Sequence, residues 1–241
     1  MDALKGKTAL VTGASRGIGK AVSVMLAKNG VNLAVNSSSS GNLNAAESEL
    51  SAYGVKVLAC PGNLADPETP REIIKKAAGY FGGIDILINN AGITLSRSIA
   101  ETTADEWDLL MAVNSRAPFL LCREAIPYLK KSDHGTIINI SSVVGYKGYV
   151  NQGAYAASKH ALTGMTKVLA QEVFEDGIRV HLIAPGGVAT DMVSRVRPDL
   201  EVSMLTTPEE IADIVQFVLT HRGNAVIDEI NVHRHSNTPW K

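Results

Sequence analysis

The chain has 241 residues, 45% of them hydrophobic, and its 23 Lys and Arg against 24 Asp and Glu give a formal net charge of −1. That length suits one large α/β domain or two small ones. A near-neutral chain without a Lys/Arg-rich run lacks the electrostatic source that nucleic-acid binding needs, and no apolar run nears the roughly twenty residues of a membrane-spanning helix.

The opening Met-Asp-Ala-Leu-Lys-Gly-Lys has no signal-peptide apolar core and leads into a strand expected over residues 8–12. The chain then passes through Thr12-Gly-Ala-Ser-Arg-Gly-Ile-Gly19 into a helix expected over 17–29. Gly13, Gly17 and Gly19 let backbone approach a pyrophosphate, and the helix start offers unpaired N–H groups and a favourable dipole. The spacing is G-x-x-x-G-x-G, and an ordinary glycine turn is the competing reading. A second strand over 31–36 ends at Asn36-Ser37-Ser38, where dinucleotide-binding folds usually carry a carboxylate for the adenosine ribose. No Asp or Glu occurs between Asp2 and Glu47. Arg16 can instead pair with a 2′-phosphate, and Ser37 and Ser38 can donate to it, so NADP(H) is expected over NAD(H). A solvated arginine beside a serine turn is the alternative.

Further along, helices are expected over 42–53, 67–81, 105–131, 154–175 and 208–220, with strands over 55–60, 84–89, 136–140, 179–184 and 225–232. The strand segments are mostly continuous apolar runs, as in sheets buried on both faces. Thr207-Pro208-Glu209-Glu210 supplies an N-cap, an N1 proline and first-turn acids to the helix that follows. The β-α-β order predicts a doubly wound parallel α/β sheet, and no linker divides residues 1–241, so a single domain is expected. Cys60 and Cys122 sit in apolar stretches without CxxC or nearby His spacing, which points to reduced, packed thiols and a cytoplasmic protein. The six histidines show no ligand spacing, so no metal site is expected, and His233-Arg-His235 reads as an exposed tail.

Tyr155 and Lys159 lie four residues apart in an alanine-rich helical run, which puts a phenol and an ammonium on one face. A nearby positive charge lowers a tyrosine pKa, so the pair is expected to make a proton donor usable near neutral pH. A solvated surface pair is the competing structural reading.

Five features occur in one order: the glycine turn at 12–19, Asn89-Asn-Ala-Gly92, Asn114, Ser142 thirteen residues before Tyr155, and Tyr155-x-x-x-Lys159 followed by Pro185-Gly186. Together they resemble the short-chain dehydrogenase/reductase family over nearly the whole chain. That resemblance implies a Rossmann-like sheet of about seven strands, flanked by helices on both faces, and hydride transfer between nicotinamide and a carbonyl or alcohol. It implies Tyr155 as general acid or base, Lys159 as the group that tunes the phenol and holds the nicotinamide ribose, and Ser142 as hydrogen-bond donor to the substrate oxygen. Asn114 is implied to position a proton-relaying water. The cofactor would be held by Gly13, Ser15, Arg16, Gly17, Ile18 and Gly19, by Asn36, Ser37 and Ser38, and by Asn63 and Leu64. Asn90, Ala91 and Gly92 would close on the adenosine side, and Pro185, Gly186, Val188 and Thr190 would flank the nicotinamide.

Ser141 is a rival for Ser142, which is preferred because its thirteen-residue separation from Tyr155 matches the family spacing, and the runs at 89–92 and 185–186 also read as plain strand ends. Two departures stand out: Asn63 occupies a position where the family often has aspartate, and residues 227–235 lack the glycine-rich ending common among the family's 3-oxoacyl-carrier-protein reductases. Substrate specificity is expected from segments 187–207, 94–99 and 144–152, which offer Leu95, Val144, Tyr146, Tyr149, Met192, Val193 and Val196. Arg195 and Arg197 in that region read as solvated, with an anionic substrate group as the sharper alternative. The resemblance also implies a homotetramer or homodimer. The expected activity is NADPH-dependent reduction of 3-oxoacyl thioesters or small ketones and sugars; a catalytically silent nucleotide-binding regulator of the same fold is the rival.

Overall fold

The computed structural model describes residues 2–38, 40–197 and 199–238; Met1, Ser39, Pro198 and residues 239–241, which the single-domain expectation and the 187–207 segment include, lie outside the described residues. Seven strands form one sheet in the order β3-β2-β1-β4-β5-β6-β7, with every neighbouring pair parallel. They are β1 (Thr8–Thr12), β2 (Asn32–Ser37), β3 (Val57–Pro61), β4 (Ile86–Asn89), β5 (Thr136–Ile140), β6 (Arg179–Pro185) and β7 (Glu229–Val232). All five residues of β1 are buried, as are those of β4 and β5, which explains their unalternating apolar sequence.

Among the described residues, eight α-helices connect and cover the sheet: α1 (Gly17–Lys28), α2 (Ser40–Ser51), α3 (Thr69–Phe81), α4 (Ala104–Met111), α5 (Ala117–Leu129), α6 (Gly153–Glu172), α7 (Asp191–Val196) and α8 (Pro208–Thr220). On one face, Val22 and Leu26 of α1 pack with Leu43 of α2, Val215 of α8 and the outward side chains Val11 and Leu33. On the other, Ile73 and Ile74 of α3, Leu121 of α5 and Leu169 of α6 pack on Leu10, Leu87 and Ile137. The alternation Leu10 against Val11 shows one strand feeding both layers, which is what period-two side-chain direction requires.

The strand order reverses between β1 and β4. At such a switch point the loops leaving the two carboxyl ends diverge to opposite faces and open a crevice, where doubly wound sheets bind ligands. The helix expected over 105–131 is broken into α4, a five-residue π-turn (Ala112–Arg116) and α5. Pro118 lacks the N–H that a continuous helix would direct to the carbonyl of Asn114, so regular pairing could not run through this point. The last strand is also shorter than expected. Residues 225–228 approach the sheet as a loop, where the carbonyl of Ile227 meets the ring Nδ1 of His181 at 2.6 Å instead of a ladder amide.

Candidate active site

A cleft of about 1070 Å³ runs along the carboxyl ends of the strands, from Lys28 and Asn42 past the glycine turn to Tyr155 and Pro185. The turn at its floor depends on its glycines. Gly13 has φ +65°, and a Cβ there would lie 2.9 Å from Nδ2 of Asn90 and 3.0 Å from Cα of Ala91. At Gly19 a Cβ would run into the carbonyl oxygen of Gly13 and lie 2.5 Å from Nδ2 of Asn90. The turn is therefore packed so tightly against β4's end that side chains are excluded, and its backbone faces the cleft.

Asn90 holds this arrangement. Its Nδ2 donates to the carbonyls of Thr12 at 2.9 Å and Gly13 at 3.3 Å, while its backbone N–H and that of Ala91 each donate to Oγ1 of Thr12 at 3.1 Å. Asn36 plays a similar part at the next strand, its Nδ2 donating to the carbonyls of Cys60 and Gly62 at 2.9 and 3.2 Å. These two amides line the cleft but spend donors on backbone, so they act first as cross-strand ties. Ser15 and Ser37 face each other with hydroxyl oxygens 3.1 Å apart, and Ser38 is exposed beside them. Asn63 uses its Oδ1 to accept from the N–H of Ala65 at 3.1 Å, and Leu64 is buried under it. Arg16 reaches across the cleft to Asp191 of α7, Nη1 to Oδ2 3.3 Å, with both side chains largely exposed. Gly17 and Thr190 approach from the same two sides: a Cβ on Gly17 would lie 3.0 Å from Cγ2 of Thr190.

The four residues expected to carry the chemistry gather at the other end. Tyr155 and Ser142 line both the cleft and the cavity that opens beside it. Ser142 has an extended backbone and caps the short 3₁₀ turn at Val143–Gly145, its Oγ accepting from the N–H of Val144 and donating to the carbonyl of Pro185, each at 3.3 Å. Ser141 is the buried one of the serine pair. Its hydroxyl lies 3.0 Å from Oγ1 of Thr163 and 3.4 Å from the carbonyl of Lys159, inside the β5–α6 contact. Ser141 thus faces the interior, whereas Ser142, the serine that sequence spacing favours, lines the cleft.

Lys159 is buried one helical turn below Tyr155, its Nζ donating to the carbonyl of Ile140 at 2.9 Å. Asn114, fully buried in the π-turn, clasps the chain opposite: its Oδ1 accepts from the N–H of Ile93 at 2.9 Å, and its Nδ2 donates to the carbonyl of Ile93 at 2.8 Å and to Oγ of Ser158 at 3.0 Å. A Cβ on Gly92 would meet Oδ1 of Asn114 at 3.3 Å and Nζ of Lys159 at 3.6 Å, so the glycine keeps that corner open. Ser158, which sequence spacing did not single out, donates to the carbonyl of Tyr155 at 2.7 Å and joins α6 to the π-turn.

The electrostatics correct one expectation. Burial pushes the Tyr155 phenol up to about 12, with the Ser142 hydrogen bond pulling against it, and the Lys159 charge contributes no lowering. Burial also brings Lys159 down to about 8. Both shifts have one leading cause, removal of a charged form from water, which helical spacing alone does not reveal.

A second cavity of about 470 Å³ opens from Ser142, Tyr155 and Gly186 toward Val144, Tyr149, Met192, Val193, Val196 and Leu200. It joins the cleft at the phenol, as a substrate pocket must if the substrate is to meet a cofactor there. Val188 and Thr206 form a short parallel bridge at its edge, Ala189 N–H donating to Thr206 O at 2.8 Å. The tail after β7 also enters this wall: His233 and His235 are exposed, as expected, while Arg234 between them and Asn237 are half-buried and line the cavity. The position just past the carboxyl end of a parallel strand was the available signal.

A family model described as short chain dehydrogenase matches residues 7–201. The chain belongs to the short-chain dehydrogenase family. Among curated relatives of this short-chain dehydrogenase, the 3-oxoacyl-[acyl-carrier-protein] reductase FabG of Staphylococcus aureus is 39% identical over 229 residues, covering 91% of this chain and 93% of that one. The FabG of Thermotoga maritima is 33% identical over 235 residues, 94% and 96% of the two chains. A solved short chain dehydrogenase of Burkholderia cenocepacia, in complex with NADP, superposes with a TM-score of 0.89 at 32% identity over 95% of this chain and 97% of that chain. An alcohol dehydrogenase of the archaeon Thermococcus sibiricus, complexed with 5-hydroxy-NADP, gives 0.90 at 26% identity over 98% and 99%.

Proposed function

We propose that the protein is an NADPH-dependent carbonyl reductase that acts, as one unit of sheet and covering segment, on 3-oxoacyl thioesters or ketones of similar size. The observation that carries this reading is the meeting of Ser142 and Tyr155 where the two cavities join, with Lys159 and Asn114 packed behind them. A protein that only bound nucleotide would need the cleft but not that pair. NADP complexes among the structural neighbours, and a relative's 3-oxoacyl reductase activity, support the cofactor and substrate class.

The cradle fits the dinucleotide on this chain's own terms. Gly13, Gly17, Ile18 and Gly19 present backbone and a helix start to a pyrophosphate. Arg16, Ser37 and Ser38, with no carboxylate at the end of β2, suit a 2′-phosphate, which would compete with Asp191 for the Arg16 guanidinium. NADPH supplies the hydride when bound. Ser142 donates to the carbonyl oxygen and favours the negative charge that grows on it. Tyr155 delivers its phenolic proton to that oxygen, and phenols held at about 12 remain protonated at neutral pH, ready to donate. Lys159, an ammonium below about pH 8, lies one helical turn from the phenol, placed to reach ribose hydroxyls. Asn114 braces the floor through Ile93 and Ser158, leaving room at Gly92 for a relaying water.

We place the protein in the cytoplasm as a homotetramer or homodimer; among the described residues no helix is long and apolar enough to cross a membrane. Exposed Trp107, Leu109, Phe119 and Val168 on α4, α5 and α6 support association through those helices. Tyr155→Phe tests the catalytic reading: turnover is expected to fall by roughly a hundredfold or more while NADPH affinity stays within about twofold. Unchanged turnover would remove Tyr155 as the acid.

A further inference from the structure

The second cavity has a one-sided charge. Its lining includes Lys147, Arg197 and Arg234 and contains no Asp or Glu among the described residues. Arg197 is neutralised close by, its Nε and Nη2 donating to the two carboxylate oxygens of Asp199 at 2.8 and 2.6 Å. Arg234 is different. Its Nη2 donates to Oδ1 of Asn237 at 2.7 Å, a neutral partner, and the nearby carboxylate whose pKa its charge helps to lower, Asp199, has both oxygens bound by Arg197.

The wall is shaped to hold this guanidinium in place. The carbonyl of Val232 accepts from the N–H of Gly186 at 2.7 Å, pinning the tail to the strand-end turn, and Asn237 N–H donates to the carbonyl of Arg234 at 2.9 Å, closing a turn around it. The stem of Arg234 crosses Gly187, where an added Cβ would lie 3.4 Å from Cδ and 3.6 Å from Nε of the arginine, and 3.1 Å from Cδ2 of Leu205. A half-buried arginine, fixed by a turn and capped by an amide, is preorganised for an anion, because a guanidinium offers paired donors without further loss of freedom.

Resting on the reductase reading above, we propose that the substrate carries an anionic group, carboxylate or phosphate, separated from its carbonyl by the span of this cavity, and that Arg234 is the residue that selects it. Lys147 adds field without a fixed geometry. The apolar residues between, Val144, Met192 and Val193, accommodate the connecting carbons. The specificity element is thus the segment after β7, where this chain lacks the glycine-rich ending of related reductases.

Two substrate pairs test the idea with NADPH as reductant: monomethyl 3-oxoadipate against its dimethyl ester, and acetoacetyl-4′-phosphopantetheine against acetoacetyl-pantetheine. The anionic member of at least one pair is expected to have a kcat/KM about tenfold or more above its neutral partner, mainly through KM, and Arg234→Gln is expected to collapse that ratio toward one. Which pair responds separates a carboxylate from a phosphate source. A ratio near one in both pairs for the native protein, or a ratio that survives Arg234→Gln, overturns the proposal. Calorimetric titration of the same compounds into the Tyr155→Phe protein with NADP+ keeps the two readings apart. Arg234-dependent, anion-selective binding without turnover in the native protein would refute the reductase and uphold the anion site; turnover without anion selectivity would do the reverse.

Discussion

At Tyr155 the balance of forces differs from what a helical Tyr-x-x-x-Lys spacing suggests. Burial disfavours phenolate and ammonium alike, so the phenol rises to about 12, the lysine falls to about 8, and the one interaction that favours phenolate is the Ser142 hydrogen bond. The direction has a kinetic consequence. Alcohol oxidation uses the phenolate as base, so its rate is expected to climb with pH toward the tyrosine pKa. Removing the hydroxyl in Ser142→Ala raises that pKa further and moves the climb to higher pH, along with a loss of roughly a hundredfold from the missing oxyanion donor. A pH–rate profile of oxidation reads both effects; a lost rate with an unmoved profile would mean that Ser142 contacts only substrate. The residues themselves were legible in order and spacing. Their protonation was not, because desolvation is set by what packs around a group, and Lys159 is enclosed by Ile140, Asn114 and Gly92 from three separate segments.

Local chemistry shows plainly where elements begin. Thr207 accepts from the N–H of Glu210 at 3.2 Å while the Glu210 carboxylate takes the N–H of Thr207 at 2.6 Å, a reciprocal capping box that starts α8 at the predicted residue. Thr207→Ala is expected to destabilise the protein by about 1 kcal/mol, measurable as a lower urea midpoint with unchanged slope. No such local code announces the π-turn. The helical pattern from 105 to 131 reads as one helix, yet Pro118 and the need to seat Asn114 against Ile93 and Ser158 insert an extra residue into the turn. Such bulges recur where a helix must aim a side chain at a site. The seventh strand shows the converse: its sequence propensity extends to residue 225, but the ladder register with β6 runs over Glu229–Val232.

Across the whole molecule, the reversal of strand order between β1 and β4 opens the cleft, and the loops from β1, β4, β5 and β6 reach it from different distances along the chain. The exposed apolar side chains of α4, α5 and α6 belong to this scale as well. Phe119 is 48% exposed and Phe174 just past α6 is 70% exposed, which suits a face covered by another copy. Light scattering at micromolar concentration is expected to give two or four times the 25.6 kDa chain mass, and a monomeric mass would remove the assembly. The amino-acid order by itself determined the alternation of buried strands and amphipathic helices, the glycine turn and the spacing of Asn114, Ser142, Tyr155 and Lys159, because these rest on interactions within a few residues or on periodicity. Only the tertiary structure turned Asn36 and Asn90 into cross-strand ties, set the opposed shifts of Tyr155 and Lys159, and brought Arg234 from the tail into the pocket wall. Each of these depends on which distant segments exclude water from a group and which supply its hydrogen-bond partners, and that is decided when the sheet assembles.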